Sequence, residues 1–290
     1  MKKFLKAVAA VLALYVVASV LLGWYVTRSY KPSAPRDRGS MGFEVQEVEL
    51  KASDGAKIRA WYAPGPGGSP AIALFHGYRE SRAEMIPIAR ALNIAGYDLL
   101  LPDFRGCGES EGDGPTFGVR EALDVTASVK FLQDDRSHLA RRVGVLGIGT
   151  GASAVILANE TVKECGAAAL LAPYDALDAT LDRRAHAKAG IGVMPLGFLA
   201  AEVVARKVGR PLSSVRPIDL IARLYPCPIL IVGADKDPIT PRTEIQALFD
   251  RAREPKEMYV VDNVPRERLT DLYQSLLRGK LVEFFDQTLR

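Results

Sequence analysis

The chain has 290 residues, 48% of them apolar and 25% charged, proportions that suit one large globular domain or two small ones. Its net charge of +4 is uneven: residues 1–40 carry seven basic residues and one acidic residue, so the remainder is net −2 and shows no basic excess for nucleic acid. Three scattered cysteines (Cys107, Cys165, Cys227) are too few for a disulfide framework, and three scattered histidines (His76, His138, His186) give no metal-ligand spacing, so neither a metal nor a cofactor is expected.

In chain order, Ala7 to Val26 is an uncharged run of 20 residues, AVAAVLALYVVASVLLGWYV, the length at which a helix crosses a bilayer core. Lys2, Lys3 and Lys6 precede it, and Trp24 and Tyr25 close it where aromatic rings favour the interface. The reading is a membrane anchor over residues 1–28; a cleaved signal peptide and a buried soluble helix are the alternatives. The run exceeds a usual signal core, and no A-x-A site follows. A short N-terminus inside and the domain outside the cytoplasm is the preferred orientation. Residues 29–42, with Pro32, Pro35, Gly39 and Gly42, read as a linker.

From residue 43 onward strands and helices alternate. Residues 45–51 alternate like a half-exposed strand, and 58–62 is their hairpin partner across Ser53-Asp54-Gly55. Apolar runs at 71–75, 97–101, 142–147, 167–171, 229–232 and 258–261 read as strands, the continuous ones buried on both faces. Residues 82–95, 118–133, 152–164 and 269–289 read as helices. This order predicts an α/β fold with a mostly parallel sheet between helical layers. Between residues 174 and 226 the alternation stops, and the apolar helical stretch 190–209 reads either as a cap over the strand ends or as an ordinary packing helix.

Four stretches carry a resemblance: Phe75-His76-Gly77-Tyr78, Asp103 to Ser110 (DFRGCGES), Gly147-Ile148-Gly149-Thr150-Gly151, and Asp237-Pro238-Ile239-Thr240-Pro241. In this order they make residues 43–290 resemble the α/β-hydrolase fold, nearest to its serine-aminopeptidase or monoacylglycerol-lipase-like branch, which includes membrane-anchored members. The resemblance implies backbone oxyanion donors at Tyr78 and Thr150, in a loop shaped by His76 and Gly77. It makes His76 a structural residue of that loop rather than a base, and Cys107 a small turn residue rather than a reactive thiol.

Family chemistry needs a nucleophile, a base and an orienting carboxylate. GIGTG matches the G-x-S-x-G elbow except that Gly149 stands where the serine belongs. The flanking Gly147 and Gly151 remain, so the elbow is expected to keep its shape, with glycine tolerating its strain best. Asp237 is the surviving acid position, with Asp235 as a substitute and a plain turn aspartate as the competing reading. The base would fall at Pro265 or Arg266, and arginine cannot accept a proton. No histidine follows Asp237. Thr150 and Ser153 are nearby hydroxyls without an evident base.

Three functions compete. One is a membrane-anchored, non-catalytic hydrolase-fold protein that binds a small acyl or lipid-like ligand. The second is an esterase-, lipase- or aminopeptidase-type hydrolase with a non-standard nucleophile. The third is a membrane scaffold whose protein partner the sequence does not identify.

Overall fold

The computed structural model describes residues 1–31, 42–66, 69–134, 143–189, 197–265 and 277–290. It begins with helix α1 (Lys2–Thr27), long and apolar enough to cross a membrane. Strands β1 (Gln46–Lys51) and β2 (Lys57–Ala63) form the expected antiparallel hairpin, turning through Gly55 at φ 92°. The strands β3 (Ala71–Phe75), β4 (Asp98–Pro102), β5 (Val143–Ile148), β6 (Ala167–Leu171), β7 (Ile229–Lys236) and β8 (Lys256–Pro265) follow. They assemble with the hairpin into one sheet of order β1-β2-β4-β3-β5-β6-β7-β8. From β4 to β8 every pairing is parallel.

A period-two pattern divides the core between the two faces of the sheet, because successive side chains in a strand point opposite ways. Ala71, Ala73, Phe75, Ile229 and Ile231 face one layer, built from α3 (Glu121–Asp134), α4 (Thr150–Leu157), α5 (Asn159–Val162) and α8 (Arg242–Arg251). Ile72, Leu74, Leu230 and Val232 face the other, built from α2 (Ile86–Ile94) and α9 (Leu277–Leu289). Burial on both faces explains why these strands are continuous apolar runs.

Several boundaries move for local reasons. The helix expected over 82–95 opens as a 3-10 turn at Arg82–Met85 and becomes α-helical only with Pro87 in its first turn, where its absent N–H costs nothing. The helix expected over 118–133 starts at Glu121, whose carboxylate takes the N–H groups of Thr116 and Gly118 and the Thr116 hydroxyl. The helix expected over 152–164 begins two residues earlier and breaks into α4 and α5 at Ala158. Two helices escaped the sequence reading: α8, and α6 (Leu177–Ala189) in the stretch where alternation stops. The described part of the expected 190–209 helix is α7 (Gly197–Val208), and that of the 269–289 helix is α9; residues 190–196 and 269–276 lie outside the described residues.

The expected linker is attached to the body at its start, while residues 32–41 lie outside the described residues. Tyr30 donates its N–H to the Gly106 carbonyl and accepts from the Gly108 N–H, the Ser29 hydroxyl reaches the Gly112 carbonyl, and Lys31 Nζ reaches the Ser110 carbonyl. A third apolar cluster sits above the carboxyl ends of the strands. It joins Phe117, Tyr174, Leu177, Val204 and Val208 to Tyr78 and to Val26 of α1. Residues of α6 and α7 thus pack in one cluster with Phe117 and Tyr78.

Candidate functional site

The turn between β5 and α4 is the sharpest feature at the carboxyl edge of the sheet. Gly149 lies there at φ 54°, ψ −112°, a region that side chains rarely occupy. Its N–H donates to the Leu171 carbonyl at 2.7 Å, and its carbonyl accepts from the Ser153 N–H at 3.1 Å. Both neighbouring glycines are required by contact. A Cβ at Gly147 would stand 2.5 Å from the Ala152 nitrogen, and one at Gly151 would stand 2.5 Å from the His76 carbonyl oxygen. The motif thus has the backbone of an elbow, with no side chain at its apex.

A small cavity opens beside that apex, lined by Gly149 and Thr150 from the elbow, Ile239 and Thr240 from the loop after β7, Leu181 and Arg184 from α6, and Phe117, Ala172 and Tyr174 around them. Its volume of about 10 Å³ is close to that of a single water site. Thr150 N–H is the first of the orphan donors of α4, at the positive end of that helix. Two non-glycine residues of the wall, Phe117 at φ 55° and Ala172 at φ 48°, and Arg79 at φ 57° beside Tyr78, are in the left-handed region. Such residues cluster where a fold constrains a site.

The other expected site residues divide. Tyr78 stacks on Phe117 with ring centroids 5.1 Å apart and carries the Arg184 guanidinium 4.7 Å from its ring, so it backs the cavity wall. Its hydroxyl donates to the Val26 carbonyl at 2.5 Å, and burial raises its pKa against the pull of Arg184 and Arg79. His76 and Gly77 do not line the cavity. His76 is fully buried; its Nδ1 donates to the Gly77 carbonyl and its Nε2 accepts the Phe104 N–H, each at 2.9 Å. These bonds fix a neutral ring, and burial lowers its pKa. The Gly77 N–H is held by the Glu84 carboxylate at 2.6 Å.

Asp237 is buried and accepts the Ile239 and Thr240 N–H groups and the Thr240 hydroxyl, so it shapes the turn that presents Thr240 to the cavity. Asp235 is exposed and lies 4.0 Å from Arg242. Ser153 is fully buried: its hydroxyl accepts the Tyr174 N–H at 2.9 Å and is within donating reach of the Gly149 and Tyr174 carbonyls. Thr150 alone of the two hydroxyls lines the cavity. His186 lies at the surface of α6, bonded to the Asp182 carbonyl. Arg266 and His138 lie outside the described residues, and the Cys107 thiol is buried and pushed up far beyond the reactive range. Among the described residues no three metal-ligating side chains converge.

Sequence reasoning missed Phe117, Tyr174, Leu181 and Arg184. It also missed a neighbouring charge cluster in which Arg183 pairs with Glu244 and stands 3.6 Å from Asp175. No local pattern marks any of them, because they meet only when α6 folds back over the sheet.

Sheet order and elbow together define an α/β-hydrolase architecture. The model of the alpha/beta hydrolase family matches residues 72–266, well over half of the chain, so this chain belongs to that family. It is similar to the uncharacterized protein YfhR of Salmonella typhimurium (25% identical, covering 85% of this chain and 83% of the relative). It is also similar to the uncharacterized protein Rv2307c of Mycobacterium tuberculosis (27% identical, covering 89% and 86%). Among solved structures it resembles the Pyrococcus furiosus esterase Pf2001 (TM-score 0.74, 24% identical, covering 91% of this chain and 100% of that one). The Penicillium hydrolase GrgF is a second likeness (TM-score 0.68, 21% identical, covering 85% and 99%). Both structural likenesses concern the fold.

Proposed function

We propose that this chain is a membrane-anchored α/β-hydrolase-fold protein that does not hydrolyse esters by serine chemistry and instead holds a small acyl or lipid-like ligand in the inherited pocket. One observation carries the reading: Gly149 takes the strained backbone of an elbow apex with no nucleophile on it. The surroundings agree. His76 is spent on two backbone partners, and the sequence has Pro265 and Arg266 where the base is expected. The retained features are those of a binding site: the Thr150 N–H at a helix start, the Arg184 cation for an acidic headgroup, and apolar walls from Leu177, Leu181 and Ile239. A cavity of about 10 Å³ is close to one water site, so holding an acyl chain requires it to widen.

Anchoring is supported by the length and composition of α1. Thr150, the hydroxyl at the cavity, supports the second reading of a hydrolase with a non-standard nucleophile. One experiment separates the two. The purified full chain in detergent is offered a fluorophosphonate probe and p-nitrophenyl acetate, and its thermal shift is measured with fatty acids and lysophospholipids. No labelling or turnover, with ligand-dependent stabilisation, is the expected result. Labelling mapped to Thr150 overturns it.

A further inference from the structure

The anchor helix does not stand apart from the body. α1 buries a single stripe, Ser19, Gly23 and Thr27, spaced one helical turn apart, and α7 lies against it. A Cβ at Gly23 would stand 2.6 Å from the Val203 Cβ and 2.9 Å from the Ala200 carbonyl oxygen, so the two helices meet almost backbone to backbone. The hydroxyls in the stripe are satisfied within α1: Ser19 donates to the Tyr15 carbonyl and Thr27 to the Gly23 carbonyl, each at 2.8 Å.

The direction of α7 is set by its far end. Lys207 pairs with Asp113 and donates to its carbonyl, and the adjacent Gly114 packs on the Thr27 carbonyl at the end of α1. The end of α7 is therefore level with the end of α1, Ala200 and Val203 are level with Gly23, and the start of α7 lies deeper, towards Ser19. The helices run side by side in the same direction.

Composition follows that depth. The start of α7 is Gly197-Phe198-Leu199-Ala200-Ala201, with Phe198 71% exposed, whereas Glu202, Arg206 and Lys207 occupy the later turns. Around α1 at the same level, Val17, Val20, Leu21 and Leu22 are exposed. An apolar surface continuous across two parallel helices suits hydrocarbon rather than water. With Ala7 to Val26 spanning the bilayer core, Gly23 lies about 5 Å inside its outer edge, and Phe198 a few residues deeper, about 10 Å inside. Glu202, level with Gly23, then lies about 5 Å inside the edge and its partner Arg206 one turn further out, so the paired side chains extend towards water at headgroup level.

We infer that the apolar first turn of α7, carrying Phe198 and Leu199, is inserted in the bilayer beside α1, making α7 a second membrane-contacting element. This inference rests on the anchor reading of α1. It places the cavity at the membrane surface, because Tyr78, which backs the cavity, shares an apolar cluster with Val26, Val204 and Val208. The ligand would then enter from the lipid phase.

The test uses the full chain in phosphatidylcholine–phosphatidylglycerol vesicles, with a bimane label on Val16→Cys, Phe198→Cys or Arg206→Cys. The three native cysteines are buried, and the unsubstituted chain serves as background. Quenching is read with doxyl-labelled lipid and with aqueous iodide. Labels at 16 and 198 are expected to be quenched by lipid and shielded from iodide several-fold better than the label at 206. A Gly23→Leu change, which wedges α7 off α1, is expected to return position 198 to iodide while position 16 stays shielded. If 16 is shielded but 198 behaves like 206, the α7 inference fails and the anchor stands. If 16 is itself open to iodide, the anchor reading fails and takes the inference with it.

Discussion

Placing a serine at position 149 is the most direct probe of what Gly149 means. Gly149→Ser puts a Cβ and a hydroxyl on a backbone at φ 54°, ψ −112°, beside the cavity walled by Thr150 and Thr240. Strain of this kind costs about 1–3 kcal/mol, a loss that a domain stable by about 5–15 kcal/mol survives. The variant is therefore expected to fold, with its urea midpoint lowered. Chemistry should not return with the hydroxyl. His76 has both ring nitrogens engaged, and His186 is on the solvent face of α6. A serine without its base turns over about 10⁶-fold more slowly than an intact triad, equivalent to about 8 kcal/mol of barrier. Turnover of p-nitrophenyl acetate and fluorophosphonate labelling, measured beside circular dichroism and a denaturation curve, decide the matter. A kcat in the ordinary enzyme range of about 1–10³ s⁻¹ would refute the reasoning, since a working base would then be in place. An unchanged or raised stability would refute the strain assignment.

Two further predictions concern the charges around the site. Burial and the neighbouring Asp175 push the Glu244 carboxyl up from 4.5 to about 8, against the pull of Arg183. An acid raised in the folded state contributes stability that is present below pH 4.5 and lost as the pH rises through about 8. Urea denaturation from pH 5 to pH 9 is expected to show this decline, at most about 1.4 kcal/mol per pH unit, and Glu244→Gln should flatten it. Elsewhere, Arg105 is buried between Asp124, at 2.6 Å, and Asp54, at 2.5 Å. Arg105→Gln leaves the Asp124 carboxylate buried without its cation and is expected to cost about 3–5 kcal/mol at neutral pH. Asp124 already titrates at about 6 because of burial, so the loss should shrink under acid conditions as it protonates; an equal loss at pH 5 and pH 8 would contradict this.

The strands and the elbow were legible in the sequence because both are local. A strand buried on two faces must be apolar throughout, so 71–75, 167–171 and the core of 229–236 announced themselves. Gly147 and Gly151 announced the elbow because no Cβ fits where helix and strand backbones nearly touch. The same locality let the sequence show an apolar stretch at 7–26 and the lack of a serine at 149. Tertiary structure alone decided the rest. It turned His76 into a strut between two loops, closed the cavity with Phe117, Tyr174 and Arg184, and laid α7 along α1 through Gly23. These contacts join residues far apart in the chain, and each depends on a backbone path that no local periodicity encodes. Side-chain pattern records which face of an element is buried, whereas the partner on that face is chosen only when the elements pack.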